Sequence, residues 1–177
     1  MSLESLGQWL QSADIATALR ESQLMYPVVM TGHLAGMALF GGMIFMTDLR
    51  LLGLGMKSYT ITEVVKSLRP WKHLGITLVA GCGIFLAWAK AEKYLGNPYF
   101  QIKMTLLLLI IIHAIVFRRS VYKNTEELDR APQIPGRVKA AAILSMVMWI
   151  GVVAAGRWIA YYEPPKPTVA ATELLQR

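Results

Sequence analysis

Cysteine is almost absent from this chain: Cys82 stands alone among 177 residues. One thiol excludes a disulfide framework and any cysteine-based zinc or iron–sulfur site. Charge is scarce as well. Asp, Glu, Lys and Arg supply 16% of the residues, against about 25% in a soluble domain. That charge is missing from whole stretches, with none between Lys103 and Arg118 and none from Leu24 to Thr47. A secretory leader is not expected, because the opening Met-Ser-Leu-Glu-Ser-Leu-Gly-Gln-Trp-Leu has no basic region and no unbroken apolar run. Histidine is limited to three positions, His33, His73 and His113.

What fills the chain is apolar: 55% of residues are hydrophobic and the mean hydropathy is +0.44. About 20 apolar residues cross a bilayer as a helix. The chain therefore has room for four or five spans and no soluble catalytic domain beside them. The expected fold is all-α, an integral membrane four-helix bundle over residues 21–162. Its spans are placed at about 24–47, 70–89, 98–117 and 140–162. Each is bounded by the first charges, prolines or turn residues that follow an apolar run. No carboxylate falls inside spans drawn this way.

Residues 1–20 carry Leu3, Leu6, Trp9, Leu10 and Ala13 at helical spacing. They read as one short amphipathic helix, either lying in the membrane interface or packed as an extramembrane cap. Residues 163–177, with Pro164, Pro165 and Pro167, read as an extended flexible tail.

The net charge of +7 does not point to nucleic acid, because the basic residues cluster between the apolar runs. Eleven of the 18 Lys and Arg lie in the first and third loops, among them Arg50, Lys57, Arg69, Arg118, Arg119 and Arg137. By the positive-inside rule these loops face the cytoplasm and both termini face outward. The expected location is the bacterial inner membrane, with both termini periplasmic.

Every histidine lies in or at the edge of a span, and an ionisable group held in hydrocarbon is by default a functional-site hypothesis. At 1.5 Å of rise per residue, His113 is ~7 Å from the cytoplasmic end of its span and His73 about one turn from the same side. His33 sits ~10–14 Å below the outer surface on the same arithmetic. A zinc site wants four ligands in a tetrahedron, which three histidines at two depths do not supply. The ten methionines are scattered rather than clustered for copper.

Haem b fits the pattern better: one or two axial ligands, an apolar slot, and basic groups for the propionates. His73 and His113 could share one haem and His33 could ligate a second, or His33 could pair with His113. His113 enters both schemes. Lys103 and Arg157 are placed for outer propionates, and Arg69 and Lys72 for inner ones. Small residues beside His33, such as Gly32 and Gly36, serve either close helix packing or space for a flat macrocycle.

The run His33-Leu-Ala-Gly-Met-Ala-Leu-Phe-Gly-Gly-Met-Ile-Phe, with Asp48-Leu-Arg-Leu after it, resembles the first helix of a group of small bacterial membrane proteins. That group includes the copper-resistance D proteins and the HemJ-type protoporphyrinogen oxidase. Lys103-Met-Thr-Leu-Leu-Leu-Leu-Ile-Ile-Ile-His113 is similar to their third helix. The match covers roughly residues 24–119. It implies a four-helix bundle binding haem b, with His33 and His113 at the matching positions. His73 has no counterpart, and the ending Gly156-Arg157-Trp158-Ile159-Ala160-Tyr161 departs from the oxidase.

The expected function is a b-type cytochrome subunit that moves electrons. Its partners would be the lipid bilayer, a quinone or a membrane or periplasmic redox protein, and further copies or a larger membrane complex. The alternatives are a HemJ-like protoporphyrinogen oxidase, a copper-transport protein, or a helical scaffold.

Overall fold

Among the residues the computed structural model describes, 3–117, 121 and 124–163, the chain is helical with no strand. Of the features expected above, the tail beyond Glu163 and the loop residues Arg118, Arg119 and Lys123 lie outside the described residues. Four helices are long and apolar enough to cross a membrane: α3 (Met25–Leu52), α4 (Ile61–Ala89), α6 (Pro98–Phe117) and α8 (Gly136–Trp158), the last extended by a 3-10 turn to Tyr161. The chain is a multi-pass membrane protein. Between and before these spans lie α1 (Leu3–Gln11), α2 (Asp14–Glu21), α5 (Ala91–Leu95) and α7 (Thr125–Arg130).

Three boundaries differ from the sequence reading, for one reason. Charge marks where a helix leaves hydrocarbon, whereas backbone hydrogen bonding marks where it ends. α3 runs past Asp48 to Leu52, where Gly53 takes φ +76° and donates back to Arg50, with Leu54 donating to Leu49. Such a left-handed cap suits glycine. α4 begins nine residues before Pro70, at a capping box in which Thr60 and Glu63 bond each other's backbone and side chain. The Asp129 carboxylate from α7 accepts the next amides, Ile61 at 2.6 Å and Thr62 at 3.1 Å. α8 begins directly after Pro135 rather than at residue 140. Only the third span, 98–117, coincides with its expected limits. There Asn97, fully buried, caps the helix by accepting the Tyr99 amide at 2.9 Å and donates to Ile159 at 3.2 Å.

The amphipathic N-terminal segment is two helices rather than one, broken after Gln11, where Ser12 donates to the Trp9 carbonyl. It is a packed cap on the end of the bundle. A Cβ on Gly7 would lie 2.7 Å from the Glu92 backbone, and the Trp88 indole donates to the Leu10 carbonyl at 2.7 Å. Trp9 and Ile15 remain exposed on this cap.

The spans pack in the order α4–α3–α8–α6, and α6 makes no extended contact with α3 or α4. α3 and α4 approach most closely. A Cβ on Gly36 would lie 2.8 Å from Leu78 Cβ, and one on Gly75 would lie 2.8 Å from the Phe40 backbone, the small-residue contact that lets membrane helices touch. Phe40 meets Trp149 edge to face at 5.2 Å, joining α3 to α8. α6 buries none of its residues, and Leu108, Ile111, Ile115 and Val116 stand exposed along it. So large an uncovered apolar face is unfit for water and suits lipid. At the end rich in Lys and Arg, Leu51, Ile61, Val121, Leu128, Val138 and Ala142 form a conventional apolar cluster. That end is called the basic end below, and the end under α1, α2 and α5 the capped end.

Candidate functional site

His33 is half-buried on α3, and its Nδ1 donates to the Val79 carbonyl of α4 at 3.0 Å. A carbonyl only accepts, so the proton is on Nδ1 and the Nε2 lone pair is left over. Glycine at position 83 makes room for the ring: a Cβ there would lie 3.0 Å from His33 Cε1. Lys103 of α6 reaches the same level, beside Gly156 of α8, where its Nζ would be 3.7 Å from an added Cβ. It is close enough to the His33 ring to act on it electrostatically. The structure thus brings together two of the predicted site residues, His33 and Lys103, near the capped end.

His113 is elsewhere. Its Nε2 donates to the Ala141 carbonyl of α8 at 3.1 Å, and its ring lies 4.7 Å from that of Phe117. The levels follow from the helix contacts. Asp48, fifteen residues along α3 from His33, meets Ser145 of α8, and Ala141 is one turn farther toward the basic end. At 1.5 Å per residue the two imidazoles are separated by ~25 Å along the bundle. They cannot both ligate one iron in this arrangement.

The expected pairing of His73 with His113 at a shared depth also fails to form. His73 is exposed on α4, and α4 is not a packed neighbour of α6. Arg69 is exposed on the same helix, toward its basic end. Arg157 is exposed as well, and its guanidinium covers the Tyr161 ring at 4.9 Å and bonds the Tyr161 hydroxyl. It occupies an aromatic belt at the membrane edge instead of facing His33. The glycines divide by role. Gly32 and Gly36 pack against α4, whereas Gly41, Gly42 and Gly81 would each receive a Cβ without meeting anything. Among the described residues no group of three or more His, Cys, Asp and Glu side chains converges on one point.

A second polar constellation escaped the sequence reading. Asp48 and Thr47 are each 1% exposed and Ser145 is 8% exposed, at the junction of α3 and α8. Lys72 enters from α4 and donates to Thr47 Oγ1 at 2.6 Å, and Thr47 in turn donates to the Met43 carbonyl at 2.8 Å. Ser145 bonds the Asp48 carboxylate, but Asp48 Oδ2 is buried without a hydrogen-bond partner. The signal that could have found it was the Thr60–Glu63 capping box and Gly53. Together they place Asp48 and Lys72 inside two facing helices instead of in a loop.

Outside the spans, Asp129 is the titrating group with a structural consequence. Burial acts against its charged form, but the Ile61 and Thr62 amides and the nearby Arg50 outweigh it and hold the carboxyl below the usual range.

No curated protein and no solved structure matches the chain. A family model, described as a family of unknown function (DUF6644), matches residues 24–162, from the turn before α3 to just past α8, and the chain belongs to that family.

Proposed function

We propose that the chain is a b-type haem-binding protein of the bacterial inner membrane, working as an electron-transfer subunit, with His33 as an axial ligand. The observation that carries this reading is the hydrogen bond from His33 Nδ1 to the Val79 carbonyl. Metal-ligating histidines almost always donate their other ring nitrogen to a carbonyl or carboxylate, which sets the tautomer and the ring direction.

The residues around His33 fit the group. The imidazole is pre-oriented, its remaining nitrogen carries the lone pair, and Gly83 leaves the ring unobstructed. The Lys103 ammonium stands at the same level, where a propionate needs a cation. α6 is packed only on α8 among the spans. A seam between α6 and the α3–α4 pair is therefore the natural place for a flat ligand. Haem held there supplies a one-electron ferric–ferrous couple. The chain's part is to orient the ligand nitrogen through Val79, to balance propionate charge through Lys103, and to keep the seam apolar. His33 and His113, ~25 Å apart along the bundle, would not hold one haem between them, so His33 is the histidine that would hold haem in this seam.

We further propose that the basic end faces the cytoplasm, since most of the Lys and Arg lie there. A quinone or another membrane redox protein would supply or accept the electron.

The test is a reduced-minus-oxidised optical spectrum of the purified protein with a pyridine haemochrome assay. A b-type reduced band, lost in His33→Ala and kept in His73→Ala, is the expected result. A colourless protein after haem is supplied during expression would overturn the reading. Porphyrinogen oxidation, which would use the same lysine for substrate carboxylates, is assayed in the same preparation.

A further inference from the structure

We propose that Asp48, with Lys72, Thr47 and Ser145, is an intramembrane proton-exchange site that loads from the basic end. The inference does not depend on haem.

A buried carboxylate is tolerated when its charge is paired and both oxygens are bonded. Asp48 meets only half of that condition. Ser145 bonds the carboxylate and the Lys72 ammonium lies near enough to attract it, yet Oδ2 is buried with no partner. Lys72 itself is drawn to Thr47 at 2.6 Å. The charged state therefore leaves one oxygen unsatisfied, and the neutral state gives up the attraction of Lys72. With a penalty attached to each state, neither is strongly preferred, and a proton can pass on and off. Acidic side chains inside membrane spans recur in proton relays for this reason.

The position suits loading from one side. Asp48 is four residues from the end of α3, and Lys72 is eleven residues from the start of α4, both toward the basic end. Among the described residues, Lys72 on α4 acts on Asp48 electrostatically, Arg50 lies two residues along its own helix, and His113 is on α6. Arg50 is turned to the Tyr59 carbonyl at 2.8 Å. His113 bonds Ala141, one turn of α8 from Ser145. In the exchange step a proton from water at the basic end forms a bond to Asp48 Oδ2 and cancels the carboxylate charge. On release that O–H bond breaks and the proton returns to water. No electron moves.

The chain has three aspartates, Asp14, Asp48 and Asp129, so labelling aspartate at Cγ with carbon-13 yields three carboxyl resonances in vesicles of neutral and anionic phospholipid. Asp48→Asn assigns its own. If that variant does not fold, Asp14→Asn and Asp129→Asn assign the third by elimination. The expected result is that the Asp48 resonance passes between its carboxylate and carboxylic positions within the pH range over which the protein stays folded. Lys72→Met should displace that transition, and Lys66→Met, a change at an exposed residue, should not. A resonance that keeps one ionisation form across that whole range, or that ignores Lys72→Met, overturns the proposal.

Discussion

Replacing Gly75 by alanine tests the α3–α4 contact with the smallest possible change. A Cβ at this position would lie 2.8 Å from the Phe40 nitrogen and Cβ and 2.9 Å from its Cα. These neighbours are backbone atoms of a packed helix, or atoms directly attached to it, and cannot swing aside. Carbon atoms rest at about 3.5–4.0 Å, so the helices must part by something near 1 Å. Overpacking of this kind costs about 1–3 kcal/mol. Alanine recovers up to about 1 kcal/mol by favouring the helical backbone over glycine. The net expectation is a loss of up to about 2 kcal/mol.

Gly81 and Gly42 are matched controls, because a Cβ at either meets nothing within 4 Å. Gly81→Ala and Gly42→Ala should leave stability unchanged or raised. The assay is reversible unfolding in mixed micelles by titration with a denaturing detergent, followed by far-UV circular dichroism. Equal midpoints for Gly75→Ala and Gly81→Ala would falsify the close approach of α3 and α4.

Asp129→Ala removes the acceptor of two α4 amides and should cost about 1 kcal/mol, the usual worth of a partly solvated cap, read from the same titration. The folded-state carboxyl of Asp129 is depressed, so its stabilisation is present above the unfolded carboxylate pKa, about 4, and disappears as pH falls through the folded value. Asp129→Ala should therefore lose less stability on acidification than the parent protein does. Lys103→Met should weaken haem retention or change the haem midpoint potential, measured by redox titration, whereas Arg157→Ala should keep haem with at most a modest effect. A Lys103→Met protein indistinguishable from the parent in both would remove Lys103 from the site. Asn97→Ala strips α6 of its cap and of the bond to Ile159. It should loosen that end by about 1–2 kcal/mol, visible as faster hydrogen exchange at Tyr99 and Phe100.

The parts of this molecule that composition decides were legible without coordinates. Runs such as Leu106–Ile112 can only be helical in lipid, because hydrocarbon offers no partner to an open backbone. Four such runs make a helical membrane bundle in any tertiary arrangement. The turn residues before Pro98 are a local signal, and the third span begins there as expected. The same logic of hydrocarbon singles out His33, as an ionisable group costly to leave there, whereas Lys103 is proposed from its place at the outer end of its span.

The tertiary structure decided which polar groups meet. Depth along one helix can be counted from sequence, but the rotation of that helix and the identity of its neighbour cannot. For that reason His73 and His113, expected to face each other, are separated by the order α4–α3–α8–α6, while His33 finds Val79 and Lys103. Asp48 and Lys72 look like loop charges beside an apolar run. They meet inside the bundle because α3 continues about one turn past Asp48 and α4 begins about three turns before Lys72. Backbone hydrogen bonds carry a helix onward regardless of side-chain polarity, and the packing of α8 against α3 then closes over whatever side chains lie between them.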